Sequence, residues 1–341
     1  MKALRIWFGC VVGFAMCTVF GWSNGMFGTL FPLFILSNLN RWNAQMFIQL
    51  LISIFWVGIQ VSLIVGFLQP YPLLMTVAVG IMLLFKCHAM HYKASYLFGY
   101  TGLLVGSILL NFGSYPTFDL ENFIIGVWVA AIMMVPICAM AFYLFPDPIE
   151  AHTPILKVEG QSKDPRDMLE QTALGWMVAM ILFLIFEIAN LNDSLSAQAS
   201  MLIMLSPMTL VGSLMMARIR IVGTLAGCVA AMAIQLVLYD LYDNPILYIL
   251  SFAIASGYFC KWLASENPVM KGIGFSAMAA LTIPITGAIP GQKDAFFAIL
   301  YRVSSIVVAV IVTSILIWVC YRLIKLFPIF FRGVEREEKA H

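Results

Sequence analysis

The chain has 341 residues, 62% of them hydrophobic and 11% charged, with a mean hydropathy of +0.95. Soluble domains carry roughly 25% charged residues, so this composition excludes a soluble globular protein and places the core in lipid. The formal net charge is +2, with no basic patch interleaved with aromatics, which argues against a nucleic-acid surface.

Lys2 and Arg5 precede the first apolar run. The stretch Gly21-Trp22-Ser23-Asn24-Gly25 after it has no small-x-small cleavage site, so residues 4–21 read as an uncleaved first span. Further spans are expected at 27–40, 44–68, 70–87, 94–113 and 121–145, set by apolar runs near the ~20 residues that cross a bilayer. The second span is short and contains Pro32. Lys86-Cys87-His88-Ala89-Met90-His91-Tyr92-Lys93 reads as a solvated loop whose two histidines lack a third metal ligand nearby. Asn111 and Asn190 read as polar groups at span ends.

Residues 147–170 are polar and proline-bearing and read as a linker between membrane regions at 1–146 and 171–328, with a charged tail at 329–341. The second region holds spans expected at 172–191, 199–216, 220–239, 245–263, 271–287 and 297–325. The eighth is short and carries Pro207, and the eleventh carries Pro284. Short or proline-interrupted spans are a pointer to a transport site, because a broken helix frees backbone groups to line a cavity.

The two regions repeat. A shift of 169 positions lays Trp7 on Trp176, Phe14 on Phe183, Leu36-Ser37 on Leu205-Ser206 and Gly58 on Gly227. Leu144-Phe145-Pro146 and Leu326-Phe327-Pro328 close the two regions alike. The expected fold is therefore all-α and polytopic, with about 12 transmembrane helices in two parallel six-helix repeats. With the N-terminus in the cytoplasm, seventeen of the nineteen basic residues fall on the cytoplasmic side, leaving only Lys293 and Arg302 opposite. This bias places both termini inside.

Glu187 is the only carboxylate well inside an apolar span, where an ion costs a few kcal/mol or more. It reads as a proton-coupling or gating group, or as a glutamate reaching interfacial water. Arg302 opens the last span and suits a carboxylate through its planar fork. Arg218 and Arg220 are placed where the eighth span turns into the ninth, as a lure for anions at a cytoplasmic mouth or as topology anchors. Gly223 and Gly227 beside them permit close helix approach. Seven cysteines lie in apolar segments without metal-ligand spacing, so neither a metal nor another cofactor is expected. No nucleophile–base–acid set or phosphate loop is visible, which argues against an enzyme and against direct use of ATP.

Met204-Leu205-Ser206-Pro207, followed by Arg220-Ile221-Val222-Gly223-Thr224-Leu225-Ala226-Gly227, resembles the FUSC family of fusaric-acid-resistance and aromatic-acid exporter membrane proteins. Arg302-Val303 at the start of the last span matches a second feature of that family. The first half lacks the motif, with Leu51, Ile54 and Phe55 in place of arginine, glycine and threonine. The large cytoplasmic domains of longer relatives have no counterpart in this sequence. The resemblance implies a bacterial inner-membrane efflux component that exports small organic acids or drugs with a periplasmic membrane-fusion adaptor. On that reading Glu187, Pro207, Pro284, Arg218, Arg220 and Arg302 line the path of a small anionic substrate. A distant similarity to plant malate channels implies an alternative, a passive anion channel. Membrane lipids are the other expected partners, and nothing in the sequence decides for or against a homo-oligomer.

Overall fold

The computed structural model describes residues 1–22, 25–92, 95–115, 118–146, 165–189, 195–238, 245–287 and 295–326. Most of the linker, the tail, Asn190 and the side chain of Arg302 lie outside the described residues. Twelve helices follow one another: α1 (Lys2–Phe20), α2 (Met26–Asn38), α3 (Ala44–Leu68), α4 (Pro72–Ala89), α5 (Tyr96–Ser114), α6 (Leu120–Leu144), α7 (Pro165–Ala189), α8 (Leu195–Leu205), α9 (Leu210–Val237), α10 (Pro245–Leu263), α11 (Pro268–Gly287) and α12 (Ala295–Leu326). Ten of them are long and apolar enough to cross a membrane. A helix satisfies its own backbone, so an apolar run in lipid takes this form. Prolines open α4, α7, α10 and α11, where a missing N–H costs nothing. Gly21 ends α1 in the left-handed region at φ 61°. Asn267 accepts the Val269 N–H at 3.0 Å at the start of α11.

α2 and α8 have 13 and 11 residues. At 1.5 Å per residue they rise about 20 and 17 Å, short of the ~30 Å hydrocarbon core. Two boundaries differ from the sequence expectation. α8 stops at Leu205, and Ser206–Thr209 turn with Met208 at φ 50°. α9 then runs unbroken from Leu210, so Arg218 and Arg220 lie within a helix and not at a turn. Pro207 is the cause: it donates no backbone hydrogen bond and pushes the residue before it out of helical geometry. Pro32 and Pro284 sit inside continuous helices, so of the prolines expected to mark interruptions only Pro207 stands at a break. The second correction concerns Lys86, Cys87 and His88, which belong to the last turn of α4 and not to a loop.

The chain sorts into two compact units that do not follow the sequence halves. The first comprises Met1–Leu51, Glu121–Lys157 and Arg218–Val307, and the second Ile52–Leu120, Val158–Ala217 and Val308–His341. In the first unit α1 packs on α2 and α10, α10 on α11, and α11 on α2. In the second α7 packs on α8 and α4, α4 on α5, and α5 on α8. With six helices to a half, α7 and α8 correspond to α1 and α2, while α10 and α11 correspond to α4 and α5. Each unit thus joins helices one and two of one half to helices four and five of the other.

Paired tryptophans show how closely the two arrangements agree. Trp7 Nε1 donates to the Ala253 carbonyl at 2.7 Å, and Trp176 Nε1 donates to the Gly80 carbonyl at 2.8 Å. Pro72 and Pro245 open α4 and α10, and the same spacing of 173 positions relates Gly80 to Ala253. The 169-position repeat therefore carries one hydrogen bond twice.

In the first unit α1 and α2 meet through small residues. A Cβ on Gly13 would strike the Gly28 carbonyl, and one on Gly9 would strike Leu36. Gly28 in turn lies against the Cys17 sulfur. Backbones that approach this closely replace the hydrophobic drive that lipid cannot supply. Phe14 of α1 stacks on Phe252 of α10 with ring centroids 4.2 Å apart.

Candidate functional site

The second unit gathers hydrogen-bonding side chains within its membrane helices. Asn111 of α5 and Gln198 of α8 are 1% and 3% exposed. Asn111 Nδ2 donates to Gln198 Oε1 at 3.2 Å, and Gln198 Nε2 donates to the Ser107 carbonyl at 2.9 Å. The Tyr115 hydroxyl lies 3.5 Å from Asn111 Oδ1 and 3.3 Å from the Phe186 carbonyl. The Ser107 hydroxyl is buried without a partner, and the residue lines a small cavity with Gln198, Leu182, Phe186 and Met201. That cavity leaves ≈ 10 Å³ for the centre of a water molecule, about the room one water needs.

Glu187 stands beside this set. It is half-buried, one carboxylate oxygen is buried without a hydrogen-bond partner, and Ser114 and Tyr115 are its polar neighbours. Burial, and then the Glu187 charge, push the Tyr115 phenol above its ordinary value. Near the start of α7, His91 Nε2 and the Thr172 hydroxyl are 2.8 Å apart. Burial, and then His88, hold the His91 imidazole below its ordinary value.

Basic side chains are buried in both units. Arg5 is 0% exposed, donates to the Asn40 and Leu39 carbonyls at 3.2 Å each, and lies under the Phe142 ring. Arg220 is buried and donates to the Ser276 hydroxyl at 3.2 Å. Lys86 is 1% exposed, and its Nζ sits 3.5 Å from the centroid of Phe98 with no hydrogen-bond acceptor. A desolvated ring face supplies about 2 kcal/mol, less than the several kcal/mol that burying an ammonium costs. The ring alone does not balance this charge.

The residues singled out from sequence are dispersed. Glu187 joins the polar set of the second unit. Arg220, Gly223 and Gly227 form the face of α9 that meets α11, in the first unit. A Cβ on Gly223 would lie 2.5 Å from the Ser276 Cβ, and one on Gly227 would strike the Ala277 carbonyl, so close approach is what these glycines provide. Arg218 is exposed, two positions from the buried Arg220 and on another face of the helix. Pro207 forms the α8–α9 turn, and Pro284 is buried within α11. Arg302 lies in α12. The sequence alone passes over Gln198 and Ser107, and it reads Lys86 as part of a solvated loop and Asn111 as a group at a span end. The available signal for Gln198 was an amide inside an apolar run, and for Lys86 a basic residue followed by Gly99 and Gly102 on the next helix.

Residues 2–141 match the family model described as "Protein of unknown function (DUF2955)", which spans less than half of the chain. No curated protein and no solved structure matches. With ten helices able to cross a bilayer, the coarse identity is settled. The chain is a polytopic membrane protein. Among the described residues no group of three or more His, Cys, Asp or Glu side chains is arranged to hold a metal ion.

Proposed function

We propose that the chain is the transport subunit of an efflux system in a bacterial inner membrane, exporting small organic acids together with a periplasmic adaptor of the membrane-fusion type. The observation that carries this reading is the Asn111–Gln198–Ser107 set with Glu187 beside it. An ionisable side chain is costly inside a membrane helix and marks a pathway for ions or substrates, and Glu187 is such a group, while the amides bonded across helices hold the helices around it. The FUSC-like segment is consistent with the reading, because Arg220, Gly223 and Gly227 all lie at a helix contact. The excess of Lys and Arg on one side of the expected topology supports cytoplasmic termini.

The test is flux in liposomes and resistance in cells. Organic-acid uptake driven by a pH gradient supports the exporter, and Glu187→Ala is expected to abolish export-dependent resistance at normal expression. Anion current that follows its own gradient and ignores pH would replace the exporter with a passive channel. Full resistance in Glu187→Ala and in Gln198→Leu would remove the polar set from the pathway.

A further inference from the structure

Arg5, Arg220 and Lys86 are buried basic side chains, and they differ in what satisfies them. Arg5 meets two carbonyls and Arg220 a hydroxyl, as groups with structural work do. The Lys86 ammonium has three donors and no acceptor. The four-helix arrangement does not require a cation there, because the 173-position spacing puts the buried Phe259 at the corresponding place of α10. The surroundings are shaped to the lysine. A Cβ on Gly102 would lie 2.9 Å from Nζ and would strike the side-chain stem, so the lysine occupies the space that the glycine leaves.

We infer that Lys86 is an anion-binding residue: its ammonium, seated against Phe98 and Gly102, takes an oxyanion that enters between α4 and α5. The chemistry is that of a carboxylate or a phosphate. On the transport reading above, on which this assignment of the ligand rests, the oxyanion is the head group of the exported acid.

Calorimetric titration of the full-length protein in phosphatidylcholine nanodiscs with benzoate, acetate and inorganic phosphate tests the site. The wild type is expected to bind at least one of them. Lys86→Met should weaken that binding about tenfold or more. Equal affinities in wild type and Lys86→Met, or no binding of any of the three by the wild type, overturn the inference. Lys86→Gln gives a milder second variant in case Lys86→Met does not fold. A loss of about threefold supports the site, and unchanged affinity counts against it.

The source of the anion is separable. Phosphatidylglycerol that co-purifies with the wild type but not with Lys86→Met, and that soluble anions do not displace, assigns the oxyanion to a lipid head group and overturns its assignment to an exported acid. Displacement by the soluble anions assigns it to a soluble acid. Exchange of the bound anion across liposomes separates the two readings. Binding at Lys86 without exchange upholds the site and removes transport, whereas exchange with the same KM in Lys86→Met upholds transport and removes the site.

Discussion

The two units are made of corresponding helices and differ in what fills the seam between the first and second helix of each set. In the first unit Gly13 lies against the Gly28 backbone, while Gly9 and Gly28 make room for the Leu36 and Cys17 side chains. The 169-position repeat places Val178, Leu182 and Ala197 at those positions of the second unit. Leu182 and Phe186 there line the cavity that Ser107 and Gln198 share. Gln198 occupies the position that Thr29 holds in the first unit, and it bridges to α5. In the first unit the α11 hydroxyls of Thr282 and Thr286 donate instead to carbonyls of their own helix.

The largest effect should come from giving the closed seam the side chain of the open one. Gly13→Leu puts into α1 the residue that α7 carries as Leu182, where the Gly28 carbonyl already occupies the space. Overpacking against side chains costs about 1–3 kcal/mol, and backbone cannot yield as a rotamer does, so the loss should reach about 3 kcal/mol or more. Thermal unfolding in detergent and the yield from membranes both report it. A Gly13→Leu protein that melts with the wild type would show that glycine packing is not what closes the first unit.

A smaller effect tests the correspondence itself. Trp7→Phe and Trp176→Phe each remove one indole donor from a helix carbonyl that keeps its backbone partner, so each should cost about 1 kcal/mol. Equivalence requires the two losses to agree within about 0.5 kcal/mol and to add in the double variant, the usual limit for independent sites. A difference several times larger would mean that the two bonds resemble one another in geometry without sharing a role.

Much of this comparison was legible in the sequence. Composition and run length mark most of the spans, and a shift of 169 positions lays Trp7 on Trp176, whose indoles make matching hydrogen bonds. Gly223 and Gly227 were legible as packing residues because glycine in a membrane helix has few other uses. The exchange of helices between halves was not, since an apolar periodicity shows which face is buried and not which neighbour covers it. Asn111 and Gln198 are 87 positions apart, and nothing local marks either as the partner of the other. Lys86 stands near the end of an apolar run, where a basic residue ordinarily reaches the interface. Only the glycines of α5 and the Phe98 ring reveal that it is held inside. Arg218 and Arg220 were displaced from a turn into a helix by where Pro207 ends α8.

The smallest expected effect separates the polar groups that hold the second unit from those that only line its cavity. Ser107 lines the small cavity and contributes its carbonyl to Gln198, which any residue supplies, while its buried hydroxyl has no hydrogen-bond partner. Removing an unsatisfied buried hydroxyl removes its desolvation cost along with it, so Ser107→Ala should leave the melting temperature unchanged or raise it slightly, within about 0.5 kcal/mol. Gln198→Leu, by contrast, strands the Asn111 amide and should cost about 1–3 kcal/mol. A Ser107→Ala protein destabilised as strongly as Gln198→Leu would mean that the hydroxyl is satisfied by an ordered water. The cavity would then be a structural part of the hydrogen-bonded set and no longer an opening in the seam.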